Sequence, residues 1–160
     1  MPPIISIVGK SESGKTTLLE KLIPELKRRG YRIGVIKHAF HEFEFDKPGK
    51  DSWRHKAAGA ETVLVAAPNS IVMVKNGQGE TLDELEGYFQ DMDLVLTEGF
   101  KHGNKPQIEI FRKERHSQPL STGNSNLIAL VTNADIKLNV PTFGMEDIAS
   151  LADLIEDKYL

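Results

Sequence analysis

Residues 4–19 read Ile4-Ile5-Ser6-Ile7-Val8-Gly9-Lys10-Ser11-Glu12-Ser13-Gly14-Lys15-Thr16-Thr17-Leu18-Leu19: an apolar run, a loop with a glycine near each end, and the start of an amphipathic pattern. Positions 9–16 complete the spacing G-x-x-x-x-G-K-[ST] between a strand and a helix, the context in which that spacing signals a phosphate-binding loop. Gly9 lets the chain turn off the strand, and Gly14 lets backbone approach an anion without a Cβ in the way. Successive amides, from Lys10, Ser11 and Ser13 into the first helical turn, then form an anion nest. Lys15 can set its ammonium on the β- and γ-phosphates, Thr16 can offer its hydroxyl to Mg2+, and Thr17 can reach the α-phosphate. The competing reading is a Gly/Ser-rich turn that matches by chance; the strand before it and the helix after it argue against that.

The rest of the chain repeats the alternation of short apolar strands with helical patterns. Arg32–Lys37, Leu94–Thr97, Ile108–Phe111 and Leu127–Val131 read as further strands, and Glu146–Tyr159 as a closing helix. Gly30 follows the first helix where a C-cap belongs. Asp51 and Ser52 open a helix through Ala60, and Thr81 with Glu84 forms a capping box for another to Gln90. Thr62–Ala67 and Ile71–Val74, separated by Ala-Pro-Asn-Ser (67–70), read as an antiparallel hairpin that makes the sheet mixed. The pattern predicts an α/β three-layer fold: a mostly parallel sheet, one antiparallel hairpin, and helices on both faces. Residues 1–160 form one nucleotide-binding domain on this reading, with residues 113–125 as a mobile surface loop.

Composition narrows the function classes. A net charge of −3 gives no basic field for nucleic acid. No cysteine is present, which excludes disulfides and thiolate sites and suits a reducing cytoplasm. The N-terminus runs straight into a strand, leaving no room for a signal peptide, and no apolar run approaches the ~20 residues that span a bilayer. The expectation is a cytoplasmic protein with neither membrane nor nucleic acid as partner.

Three further stretches carry chemistry. In Asp93-Leu94-Val95-Leu96-Thr97-Glu98-Gly99, Glu98 emerges at the carboxyl end of a strand, where open α/β sheets hold ligands. It can hold Mg2+ or orient an attacking water, Gly99 then turning the backbone beside a γ-phosphate. Most such motifs end in Asp; the alternative for Glu98 is a solvated acid after a strand. Asp93 stands at the other end and caps the strand. Asp46 and Asp51, after the second strand, can reach a position near the metal or the water. His38 and His41 form a weak candidate metal pair against loop histidines that hydrogen-bond or touch phosphate. Thr132-Asn133-Ala134-Asp135 approximates the guanine-reading [NT]-K-x-D, with Asn133 in place of lysine. There Asp135 would accept from guanine N1 and the 2-amino group; the alternative is an Asx-turn closing the strand. Lys10, next to the first glycine, is either a solvated loop lysine or one that reaches a partner subunit's nucleotide.

Taken together, I-V-G-K-S-E-S-G-K-T-T-L-L (7–19), V-I-K-H-A-F-H (35–41), D-K-P-G-K-D-S-W-R-H-K-A-A-G-A (46–60) and L-V-L-T-E-G-F-K (94–101) resemble the molybdopterin-guanine dinucleotide biosynthesis protein B family, P-loop proteins of the SIMIBI class. P-Q-I-E-I-F (106–111) adds to the likeness. The resemblance implies a homodimeric, GTP-binding, weakly hydrolysing P-loop protein. It would assist MobA, the guanylyltransferase that attaches GMP to molybdopterin, with molybdopterin itself a further partner. It also implies phosphate and Mg2+ contacts from Gly14, Lys15, Thr16 and Thr17, and a metal-side element at Glu98 and Gly99. Lys15 and Glu98 would be the catalytic pair, Asp46–Ser52 a loop beside the nucleotide, and Lys101 a neighbour of the phosphates or the pterin partner. A small-molecule kinase, with Arg112 and Arg115 as a thin lid, and an adapter without turnover are the competing functions.

Overall fold

The computed structural model describes residues 1–39, 46–77 and 81–160. They divide into two compact units, Met1–His38 with Thr81–Leu160, and Ala39–Glu80. In chain order the elements are β1 (Ile4–Val8), α1 (Lys15–Arg28), β2 (Ile33–Lys37), α2 (Asp51–Ala57), β3 (Thr62–Ala67), β4 (Ser70–Lys75) and α3 (Leu82–Leu85). A 3-10 turn (Glu86–Phe89), β5 (Leu94–Glu98), β6 (Gln107–Phe111), β7 (Leu127–Thr132), β8 (Thr142–Phe143) and α4 (Ile148–Tyr159) complete the chain.

The larger unit is built on a six-stranded sheet in the order β2-β5-β1-β6-β7-β8, every pairing parallel. Strand connections leave β1 toward β2 on one side and reach β6 on the other, so the order reverses beside β1. Ligands of open α/β sheets bind outside the carboxyl ends of the strands at such a reversal. Side-chain alternation along β1 serves both faces. Ile5 and Ile7 pack with Leu18, Leu22 and Leu26 of α1 and Leu151 and Ile155 of α4, while Ile4 packs with Ile36, Leu82 and Val95 beneath α3. Helix α1 keeps its apolar stripe at three- and four-residue spacing. Pro24 lies inside it on the exposed side, so the hydrogen bond it removes is not a buried one. Arg29 ties α1 to α4 through Glu25, Asp153 and Glu156, and the Tyr31 hydroxyl donates to Glu156 at 2.6 Å.

Several elements differ from the sequence expectation. The hairpin forms, in the register Leu64↔Met73 and Ala66↔Ile71, but as a two-stranded sheet of its own in the smaller unit; the main sheet is therefore not mixed. Strand β8, two residues long, is too short to leave a pattern. Thr81 takes the extended N-cap conformation without a side-chain cap bond, and α3 passes after one turn into the 3-10 turn. Residues 113–125 are tied down rather than free. Glu109 of β6, 1% exposed, accepts from the amides of Leu120 (2.6 Å) and Ser121 (2.8 Å), and Asn124 Nδ2 donates to Gln107 at 2.9 Å. At the amino end of β5, Asp93 accepts from the backbone and guanidinium of Arg32, fixing where β2 begins. No helix among the described residues is long and apolar enough to cross a membrane.

Candidate phosphate site

The loop between β1 and α1 is shaped by contacts that leave room for backbone only. A Cβ on Gly9 would lie 2.5 Å from Ser13 Oγ and 2.6 Å from the Ile110 carbonyl oxygen, so the close approach of β6 requires glycine there. Gly14 takes φ 101° and acts as N-cap of α1, opening the helix without a side chain over its first amides. Ser13 Oγ is buried and has no hydrogen-bond partner among the described residues. An orphaned hydroxyl inside an amide-lined turn fits a phosphate oxygen, which supplies the missing acceptor.

Lys15 spans the mouth of the loop, its Nζ donating to the carbonyls of Gly9 (3.0 Å) and Lys10 (2.8 Å). Burial lowers its pKa from the ordinary lysine value; Glu98 opposes that and Lys37 adds to it. Glu98 ends β5, in register with Ile7 of β1 and Lys37 of β2. Thr16 Oγ1 donates to Glu98 Oε1 at 3.1 Å. The hydroxyl and carboxylate expected to share a magnesium ion thus meet, although 82 residues apart in the chain. Hard oxygen donors of this kind suit Mg2+, which is held through few protein ligands plus phosphate and water. Ser11, Glu12, Gly14, Lys15, Thr16, Thr17, Glu98 and Arg112 line a cavity of about 350 Å³, the Glu12 carboxylate being paired with Arg115.

Behind Glu98 the chain turns sharply. Gly99 and Phe100 both have positive φ, 110° and 56°. The second is strained for a side chain, and it is held by packing of the Phe100 ring on His38, centroids 4.6 Å apart. Gly99 N donates to the Ile7 carbonyl at 3.0 Å, and His38 N to the Glu98 carbonyl at 3.0 Å, locking the ends of β1, β5 and β2 together.

The outer side of the loop is braced by the segment after β6. Lys10 Nζ donates to the Gln118 carbonyl at 3.1 Å, Arg115 pairs with Glu12 at 3.2 Å, and His116 Nε2 meets the Ser11 carbonyl oxygen at 2.8 Å. Lys10 is thus engaged within its own chain, as is Arg115.

Thr132 ends β7, two strands from β1, or about 10 Å at ordinary strand spacing. Its hydroxyl accepts from the Ala134 amide at 3.1 Å, and Asn133 is held by Glu114 and the Lys113 amide. Asp135 is exposed, and neither it nor Thr132 lines the cavity at the loop. Asp46 and Asp51 belong to the smaller unit: Asp51 is the first residue of α2, and Asp46 Oδ1 accepts from the Lys47 amide at 2.8 Å. His41 lies outside the described residues. Among those described, no three His, Cys, Asp or Glu residues form a metal-binding group.

In the sequence Arg112 reads only as part of a thin kinase lid, whereas in the fold it lines the cavity at the phosphate loop. Its signal was available: it is the first residue after β6, at the carboxyl end of the strand flanking β1 opposite Glu98.

The model of the family described as molybdopterin guanine dinucleotide synthesis protein B matches residues 4–133. A molybdopterin-guanine dinucleotide biosynthesis adapter protein from Haemophilus influenzae is 41% identical over 158 residues, covering 97% of this chain and 88% of that protein. The adapter protein of the same name from Escherichia coli is 36% identical, covering 97% and 92%. The crystal structure of Bacillus subtilis MobB superposes with a TM-score of 0.79 at 28% identity, covering 99% of this chain and 98% of that one. With the family's model matched over most of its length and relatives at 41% and 36% identity along nearly the whole chain, the chain belongs to the molybdopterin guanine dinucleotide synthesis protein B family.

Proposed function

We propose that this protein is a GTP-binding adapter in molybdopterin guanine dinucleotide synthesis, with slow GTP hydrolysis at the loop of residues 9–17. The observation that carries the reading is the contact of Thr16 with Glu98 at 3.1 Å beside the Lys15 ammonium. A phosphate nest, a cation and a hard-metal pair meet there in one cavity.

In this reading the amides from Lys10 to Thr17 and the orphaned Ser13 hydroxyl cradle the β-phosphate. Lys15 gives up its bonds to the Gly9 and Lys10 carbonyls and takes phosphate oxygens, which return more for each charge-assisted hydrogen bond. Thr16 and Glu98 hold Mg2+, directly or through water. A Mg2+ ion held by these residues would supply positive charge to offset that developing on the phosphate oxygens. Glu98 also orients water at the γ-phosphate end, and Gly99 keeps that approach open. Arg112 adds positive charge on the opposite flank. A triphosphate of about four negative charges needs these cations, because the chain as a whole is acidic.

The adapter role is taken from the relatives' shared name, and MobA and molybdopterin remain partners by resemblance. The smaller unit supports a homodimer. On one face of its hairpin Leu64, Ile71 and Met73 are 55%, 70% and 41% exposed. A lone two-stranded ribbon is marginal in water, and a second copy laid on this face would bury that apolar surface.

Phosphate release from GTP by the purified chain, alone and with the guanylyltransferase, tests the reading. Slow release abolished in Lys15→Ala is expected. Rapid transfer to a small-molecule acceptor would instead make the protein a kinase.

A further inference from the structure

The groove at the phosphate loop does not stop at the triphosphate cavity. A second cleft, lined by Thr17, Lys21, Arg112, Met145 and Glu146, shares Gly14, Thr17 and Arg112 with the first. Thr17 and Lys21 are four residues apart on α1 and so lie on one face of it. The adjoining cleft gives a nucleotide whose α-phosphate sits at Thr17 a path for its sugar and base along this face toward Lys21.

What waits there is a donor beside two acceptors. Both carboxylate oxygens of Glu146 lie 2.7 Å from Lys21 Nζ. The pair is exposed, 79% at Glu146 and 39% at Lys21, so incoming polar groups can replace the mutual contact. Glu146 is carried by a tight turn rather than a loose loop. Gly144 N donates to Asp147 Oδ2 at 2.7 Å, Asp147 N to the Gly144 carbonyl at 3.2 Å, and Ile148 N to the Glu146 carbonyl at 2.9 Å. Met145 beside it packs on the core and gives the cleft an apolar wall for a ring face.

The hydrogen-bonding pattern selects one base. Guanine presents an acceptor (O6) followed by two donors (N1–H and the 2-amino group), and an ammonium beside a carboxylate is the complement of that edge. Adenine offers an unprotonated N1 where the carboxylate needs a donor. The T-N-A-D turn, by contrast, spends its Thr132 hydroxyl and Asn133 amide within the protein. We propose that Glu146, with Lys21, reads the base of the bound nucleotide and makes the site selective for guanine. This rests on the nucleotide reading given above.

The test titrates the Mg2+ complexes of GTP, ITP, XTP and ATP against the full-length chain and its Glu146→Gln, Lys21→Met and Asp135→Asn variants, with circular dichroism as the check on folding. Glu146→Gln is expected to weaken GTP at least tenfold and to strengthen XTP, whose 2-oxo group accepts from the new amide. It should also erase the GTP-over-ITP preference that the 2-amino group confers, and Lys21→Met should weaken GTP severalfold. A swap to XTP in Asp135→Asn, with Glu146→Gln indistinguishable from wild type, would overturn the proposal and move base reading to β7. Wild-type protein that binds none of the four nucleotides would overturn the nucleotide reading itself, and this inference with it.

Discussion

Thr16, the second residue of α1, donates its hydroxyl to Glu98, the last residue of β5, at 3.1 Å. The contact joins two adjacent parallel strands at their carboxyl ends through the helix that follows one of them. If the pair is a metal site, Glu98→Gln keeps the shape and removes the charge. Hydrolysis should then fall by ten- to a thousandfold while GTP affinity changes severalfold, because the carboxylate matters most as charge moves onto the leaving phosphate. Single-turnover phosphate release with a parallel binding titration measures both. A wild-type hydrolysis rate would make Glu98 a structural residue.

Lys15 is held ready across the loop mouth by two carbonyls. Lys15→Ala should leave the fold intact and weaken triphosphate binding by about 1.5–3 kcal/mol, one to two decades. Fluorescent GTP-analogue titration reads the change; unaltered affinity in a folded variant would remove the phosphate-loop assignment.

The turn after β5 depends on the absence of a side chain. At Gly99, with φ 110°, a Cβ would stand 3.0 Å from His38 Cβ. Gly99→Ala should cost about 1–3 kcal/mol of stability from positive-φ strain and overpacking. A lower urea midpoint with an unchanged slope is the expected signature, and an unchanged midpoint would show that the turn relaxes freely.

Acid should weaken the junction of β2 and β5. Hydrogen bonds from Arg32, side chain first and backbone second, lower the Asp93 pKa from 3.8 to about 2. A carboxylate depressed in the folded state stabilises fully above its unfolded value, and the stabilisation is lost as pH falls through the folded value. The stability gap between wild type and Asp93→Asn should therefore be constant above about pH 5 and close as the pH falls from about 4 to about 2. Thermal melts at stepped pH check this; a gap that stays open at pH 2 would mean the bond does not depend on charge.

Glu109 anchors the segment that braces the phosphate loop. Glu109→Ala leaves the Leu120 and Ser121 amides without their acceptor. The expected loss is about 1–3 kcal/mol, with faster amide exchange over residues 113–125.

Local patterns made much of this legible. The β1–loop–α1 unit can be read from 16 consecutive residues (4–19), because strand, turn glycines and helix stripe are all local signals. Glu98 was legible from its place after three apolar residues. What escaped depends on long-range pairing or on elements too short to show a period. Nothing within residues 62–75 tells whether the hairpin joins the main sheet, since that is decided by edges supplied elsewhere. The anchoring of residues 113–125 rests on Glu109, a buried acid inside a strand that reads as apolar. Glu146 and Lys21, 125 residues apart, are ordinary surface charges in the sequence and a pair only in the fold.

The proposed role requires a guanine triphosphate bound at residues 9–17. Equilibrium titration of the purified full-length chain with GTP, GDP and ATP, with and without Mg2+, tests it most directly. GTP should bind at least tenfold more tightly than ATP, Mg2+ should tighten GTP more than GDP, and Lys15→Ala should lose most of the affinity. Absence of GTP binding by folded wild-type protein, or a preference for ATP, would contradict it.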